Sequence, residues 1–188
     1  ILSERAFITH AAMGGFGMFG MFSYLAGSPQ VFVQLFGLSP GFYGGLFGVC
    51  AAGFIAASQV NPWLVGRLGP DRVLRMATRA FLLATAAMFG FALSGGWGGW
   101  LPLAGCAFVA MSSQGFIMPN AVVGALQRHA GHAASASALM GTMQFGLGAV
   151  AAAAVGLLSD GTARPMGALM LLGAVCSNVA EALRPRRT

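Results

Sequence analysis

Apolar residues run along this chain in long blocks separated by short polar or charged stretches, and the blocks are too long and continuous for half-buried strands. No charged residue occurs between Arg5 and Arg67. A helix crosses a bilayer in about 20 apolar residues, so this interval accommodates two crossings and a turn. The first span is predicted over residues 6–27, with Ser28-Pro29 as a kink or end and residues 30–37 as a continuation near the membrane surface. Ser39-Pro40 reads as the N-cap and first helical position of a second span, 40–65. A short basic segment from Arg67 to Arg79 follows, and the third span is placed at 76–93. Ser94 to Trp100 is a glycine-rich turn with two tryptophans at interfacial depth. A fourth span over 100–126, a polar loop from Gln127 to His132, a fifth span over 133–158, a turn from Ser159 to Pro165 and a sixth span over 166–183 complete the pattern.

Composition turns this pattern into a membrane assignment. The chain is 57% hydrophobic and 7% charged, where a soluble domain carries roughly a quarter charged residues. A soluble globular enzyme and a disordered chain are both excluded. All ten basic residues are arginines, against four acids. With six crossings, Arg5, Arg67, Arg72, Arg75, Arg79, Arg128, Arg184, Arg186 and Arg187 fall on one side and Arg164 alone on the other. Positive charge is retained in the cytoplasm, so both ends are expected there. The same placement speaks for topology rather than a nucleic-acid surface. Cys50, Cys106 and Cys176 sit in separate apolar blocks and read as small buried hydrophobes. The 29 glycines, including the GxxxG pair Gly44 and Gly48 and the run through Gly141, Gly146 and Gly148, read as close-packing positions between helices.

Chemistry-bearing residues are sparse. His129 and His132 lie in a loop without a third ligand nearby, and no serine or cysteine is grouped with a base and an acid, so neither metal, cofactor nor catalytic site is expected. Gln114, Asn120 and Gln144 lie deep in their spans, where an amide costs free energy unless it finds a partner or faces a wet cavity. His10 is the one titratable group well inside the first span. Glu4, Asp71, Asp160 and Glu181 fall in loops or near span ends, so no carboxylate sits at the midplane.

The segment Asn61-Pro62-Trp63-Leu64-Val65-Gly66-Arg67-Leu68-Gly69-Pro70-Asp71-Arg72 resembles the inter-helix loop signature of the major facilitator superfamily. Arg67, Gly69, Asp71 and Arg72 carry the resemblance. Gly66 stands where the signature has Asp, and Pro70 where it has a basic residue, as in the degraded second-half copy of this loop. Residues 20–29, 36–40, 115–120 and 134–146 are similar to helices seven, eight, ten and eleven of drug/proton antiporters of the bicyclomycin-resistance (Bcr/CflA) type. The resemblance covers essentially the whole chain. It implies an all-α membrane fold of two inverted three-helix repeats, forming the C-terminal six helices of a twelve-helix exporter whose N-terminal six are missing from this sequence.

It further implies proton-driven export of small, mostly apolar drugs across the bacterial inner membrane, with the coupling acid in the other half. Substrate, protons, lipids and that N-terminal half are the expected partners. The resemblance places helices seven, eight, ten and eleven around the cavity. Phe19, Phe22, Ser23 and Tyr24 on the first span, Gln114, Phe116 and Asn120 on the fourth, and Gln144 and Phe145 on the fifth are the candidate substrate-cavity residues. A self-standing six-span channel or scaffold, oligomerising through its glycine faces, is the competing reading.

Overall fold

The computed structural model describes residues 4–95, 98–126 and 133–184. Trp97, Gln127, Arg128, His129, His132, Arg186 and Arg187, invoked above, lie outside the described residues. Six long helices form the fold: α1 (Arg5–Pro29), α2 (Pro40–Leu68), α3 (Pro70–Leu93), α4 (Trp100–Leu126), α5 (Ala133–Leu157) and α6 (Arg164–Ala182). A π-helical segment, Gln30–Leu35, prolongs α1 past Pro29. The helix therefore runs on through the expected kink. No strand occurs among the described residues.

Local chemistry explains the joints. The Ser39 hydroxyl accepts from the Phe42 backbone N–H at 3.3 Å, and Pro40, which has no N–H to leave unpaired, opens α2. One residue, Gly69, joins α2 to α3 at φ +79°, a left-handed conformation that glycine adopts without a Cβ penalty. Pro70 then starts α3, with Asp71 in its positive first turn. The basic segment read as a loop is thus mostly helix, and α3 begins six residues ahead of its apolar block. Hydropathy marks where a helix enters lipid, whereas proline and capping mark where it begins. At the α5–α6 turn, the Thr162 hydroxyl and backbone N–H both donate to Asp160 Oδ1, at 2.6 and 2.9 Å, and hold that carboxyl below its ordinary range.

Contacts between helix ends show that the helices alternate in direction. Arg5 Nε donates to the Leu183 carbonyl at 3.2 Å, and Arg184 pairs with Asp71, so one end gathers the start of α1, the α2–α3 joint and the end of α6. At the other end Gln30 bonds Ser159, and Phe42 meets Trp100 edge-on with centroids 5.2 Å apart. An odd number of spans per repeat makes the second repeat enter from the opposite side, which inverts it.

The packing follows a two-fold exchange. α1 packs against α4, α5 and α6; α4 packs against α1, α2 and α3; and α3 packs against α6. Exchanging α1 with α4, α2 with α5 and α3 with α6 maps every one of these contacts onto another or onto itself. α1 and α4 are therefore the hub, α3 and α6 close one side, and α2 and α5 flank the other. Among the described residues, five helices, α2 through α6, are long and apolar enough to cross a membrane by length and composition. The exception is the hub helix α1, whose buried Gly14, Gly17, Gly20, Thr9, His10 and Ser23 lower its hydropathy. A helix sheathed by its neighbours needs small residues for close approach more than it needs lipid solubility.

Candidate substrate face

On the side away from α3 and α6, the wall formed by α1, α2, α4 and α5 is only partly covered. Met21, Tyr24, Phe47, Cys50, Phe54 and Met111 border an apolar hollow of about 190 Å³ between α1, α2 and α4. Tyr24 stacks on Phe47 with ring centroids 6.2 Å apart, and its hydroxyl points at Cys50 Sγ, 3.6 Å away. Across α1, Phe22 meets Phe145 of α5 edge-on at 6.3 Å, and Phe145 is 61% exposed. Aromatic rings and methionine thioethers give such a wall polarisable, adaptable contact area.

The expected cavity residues separate into groups. Phe22, Tyr24 and Phe145 border the open wall. Phe19 is buried with Ala151, Val155 and Leu169 in the seam of α1, α5 and α6, and the Ser23 hydroxyl is spent on the Phe19 carbonyl at 2.8 Å. Phe116 borders a different groove, with α3 residues, on the outer surface. Asn120 donates to Asn61 Oδ1 of α2 at 2.6 Å and to the Phe116 carbonyl at 2.8 Å, an interhelical tie. Asn61 stood in the loop-like segment without being recognised as its partner; an amide one turn from the end of a span was the available signal.

Gln114 of α4 and Gln144 of α5 both lie against one glycine face of α1, at Gly17 and Gly14. Gln114 is fully buried, and a Cβ added to Gly17 would lie 2.6 Å from its Oε1. A Cβ on Gly14 would lie 2.8 Å from Gln144 Nε2. Both Gln114 amide atoms and Gln144 Nε2 lack a hydrogen-bond partner among the described residues. An unpaired amide in an apolar interior costs about 1–3 kcal/mol.

The signature residues sit together at one end. The Arg67 guanidinium lies over the Trp63 ring, 4.2 Å from its centroid. Gly69 is the joint, and Asp71 is engaged by Arg184, which also reaches Glu181 at 3.6 Å. Arg75 Nε approaches the same Glu181 at 3.8 Å. This network binds α3 to α6, while Arg72 points outward. His10 donates from Nδ1 to the Ala6 carbonyl at 2.7 Å, and its ring fills the notch at Gly124 of α4. All four carboxylates of the chain lie at helix ends or in a turn.

The glycines correct one expectation. Gly44 and Gly48 have nothing near their Cβ positions, so that pair packs against no helix of the bundle. The tight contacts occur elsewhere, as at Gly115, where a Cβ would overlap the Phe54 carbonyl oxygen. Gly141 and Gly146 on α5 are open as well, whereas Gly148 receives Phe22. Spacing identifies a small-residue face without identifying what covers it.

Such a bundle, with hub helices exchanged by a two-fold relation and one flank open, is the fold of half a major facilitator transporter. The chain is 31% identical over 183 residues to the uncharacterized MFS-type transporter YdgK of Bacillus subtilis (strain 168), a match covering 96% of this chain and 44% of that protein. It is 29% identical over 171 residues to the bicyclomycin resistance protein homolog of Haemophilus influenzae (strain ATCC 51907 / DSM 11121 / KW20 / Rd), covering 87% of this chain and 40% of that protein. No family model matches the chain, and no solved structure matches it. The chain belongs to the major facilitator superfamily, and it spans less than half the length of these relatives.

Proposed function

We propose that this chain is the C-terminal half of a twelve-helix exporter that expels small, mostly apolar drugs across the bacterial inner membrane, driven by proton entry. The observation that carries the reading is the uncovered flank. The most apolar stretches of α2 and α5 are only 11% and 28% buried within the bundle, against 50% for α4. Both flanking helices carry open glycines, and the relatives are about twice as long as the match. A second six-helix body would cover those faces and enclose the aromatic wall between two halves, where substrate binds near the midplane.

The amides of Gln114 and Gln144 supply polar groups beside that wall, and Phe22, Tyr24 and Phe145 supply rings for an apolar ligand. With every carboxylate at a helix end or in the α5–α6 turn, the proton-carrying acid belongs to the other half. Among the described residues, six arginines gather at the Arg5 end and Arg164 alone at the opposite end, which supports cytoplasmic termini. Substrate movement here is non-covalent, by rocking of one body against the other. The test is dye efflux from proteoliposomes under an imposed proton gradient. The full-length protein is expected to export an apolar dye until an ionophore collapses the gradient, and the 188-residue chain alone to export none; efflux by the lone chain would contradict the reading.

A further inference from the structure

Behind α2 and α4, on the surface away from the open wall, lies a second apolar groove of about 300 Å³. Leu64 of α2, Val73, Met76 and Ala80 of α3, and Phe108 and Phe116 of α4 border it. Met76 is 53% exposed and Phe108 40%, so the groove opens outward. It runs from the arginine-rich end toward the middle of the bundle, because Leu64 lies one turn before the end of α2 and Val73 within the first turn of α3.

Three cations surround the groove's head. Residues three or four apart share a helix face, so Arg67 lies one turn beyond Leu64, and Arg72 and Arg79 lie one turn either side of Met76. Arg72 and Arg79 are exposed and have no hydrogen bond or ion pair among the described residues. The acids that could neutralise them, Asp71 and Glu181, are already engaged by Arg184 and Arg75 in the α3–α6 seam. Arg79 is three residues past the start of the apolar block at residue 76, about 5 Å along the helix axis, on a face that also presents Leu83, 70% exposed. A guanidinium on a lipid-facing surface at that depth must reach back to a headgroup or draw a phosphate toward itself. Arg67, stacked on the exposed Trp63, adds a third positive charge at the aromatic interface.

From this juxtaposition we infer that the α2–α3–α4 groove is a binding site for one anionic phospholipid of the cytoplasmic leaflet. Its phosphate is held by the guanidinium forks of Arg72 and Arg79, and one acyl chain lies along Leu64, Met76 and Phe116. Guanidinium groups match phosphate oxygens in a two-point geometry. The three uncompensated positive charges select a headgroup with net negative charge over a zwitterionic one, whose ammonium would enter the same field. The inference rests on the membrane placement and orientation of the chain and is independent of which solute is exported.

Native mass spectrometry of the delipidated full-length protein, titrated with an equimolar mixture of dioleoyl phosphatidylglycerol and dioleoyl phosphatidylcholine, tests it. The phosphatidylglycerol adduct is expected to exceed the phosphatidylcholine adduct about tenfold. Arg72→Gln with Arg79→Gln should bring the two to parity, and Arg72→Lys with Arg79→Lys should keep most of the preference. Ala80→Trp, which fills the groove, should reduce both adducts. Millimolar inorganic phosphate should leave the phosphatidylglycerol adduct in place, because it lacks the acyl chain. Equal adducts in the unsubstituted protein, an unchanged preference in the double glutamine variant, full binding to the Ala80→Trp variant, or displacement by inorganic phosphate would each overturn the site.

Discussion

The two sides of the hub helices solve the problem of polar groups in lipid in opposite ways. Behind α1 and α4, where α3 and α6 close the bundle, the amide and hydroxyl groups of the seam have found partners, whereas Arg75 Nε reaches Glu181 only at 3.8 Å and Ser112 Oγ of α4 has no hydrogen bond among the described residues. Asn178 Nδ2 donates to the Thr78 and Ala174 carbonyls at 2.7 and 3.0 Å, the Thr85 hydroxyl to the Phe81 carbonyl at 2.9 Å, and Ser177 to the Met13 carbonyl at 3.3 Å. Toward the front, Gln114 and Gln144 keep unpaired amide atoms beside α1 glycines, and Phe145, Gly44 and Gly48 face outward with nothing over them. A satisfied seam stabilises a rigid body. An unsatisfied wall is where a protein retains capacity for something it does not itself contain.

Substitutions on each side should separate the two roles. The largest effect is expected where backbones touch. Gly115→Leu would drive its side chain into the Phe54 carbonyl and part α4 from α2, with a loss of about 3 kcal/mol, the upper end for overpacking because backbone cannot rotate away. Thermal unfolding in detergent would show it as a marked fall in midpoint. Next is Arg184→Ala, which leaves Asp71 and Glu181 without their shared cation. The Arg184 side chain is 7% exposed but that of Asp71 is 32% exposed, so water screens part of the loss, and about 1–2 kcal/mol is expected. Proton-driven efflux, measured on the surviving folded fraction, should be unchanged.

Gln114→Leu should invert that outcome. Removing a buried amide that lacks a partner is expected to raise stability by about 1 kcal/mol, while efflux of an apolar dye falls severalfold. A parallel loss of stability and efflux would instead make Gln114 a packing residue of the α1–α4 seam. The smallest effect belongs to the exposed α5–α6 turn. Asp160→Asn should leave the unfolding midpoint at neutral pH within error of the unsubstituted protein. Thr162 holds the Asp160 carboxyl below its ordinary value, so whatever stabilisation it gives is present above the usual carboxylate range and fades as pH falls through the lowered value. Midpoints measured against pH in both proteins should stay within error of each other throughout; a gap at neutral pH that closes in acid would show that the Thr162 bonds stabilise the fold.

Much of this architecture was legible in the chain because lipid imposes a length and an apolar composition on each crossing. The six helical blocks follow from that constraint, five of them apolar enough to cross by composition, while the Ser39-Pro40 start of α2 follows from capping. The start of α3 did not, since Arg72, Arg75 and Arg79 read as loop by hydropathy while forming helix well enough once Pro70 and Asp71 open it. The direction of the glycine faces was hidden for a different reason. Gly44 and Gly115 look alike in sequence, yet one meets open space and the other a backbone oxygen, and only the assembled neighbours distinguish them. The cavity residues were divided in the same way: a Phe every few positions establishes a face, but of Phe19 and Phe22, which pack on the same α5–α6 cluster, Phe19 is buried in it while the partly buried Phe22 also reaches the exposed Phe145.

Spin labels placed one on each side test the central contrast most directly. In full-length protein with Cys50, Cys106 and Cys176 replaced by Ala, Phe145→Cys and Leu83→Cys would carry nitroxides in lipid bilayers. Collision with a water-soluble nickel chelate and with oxygen would then be compared. The expected result is nickel access and low oxygen access at residue 145, facing a wet cavity between halves, and the reverse at residue 83, facing lipid. Equal, oxygen-dominated access at both positions would contradict a front wall that encloses a substrate path.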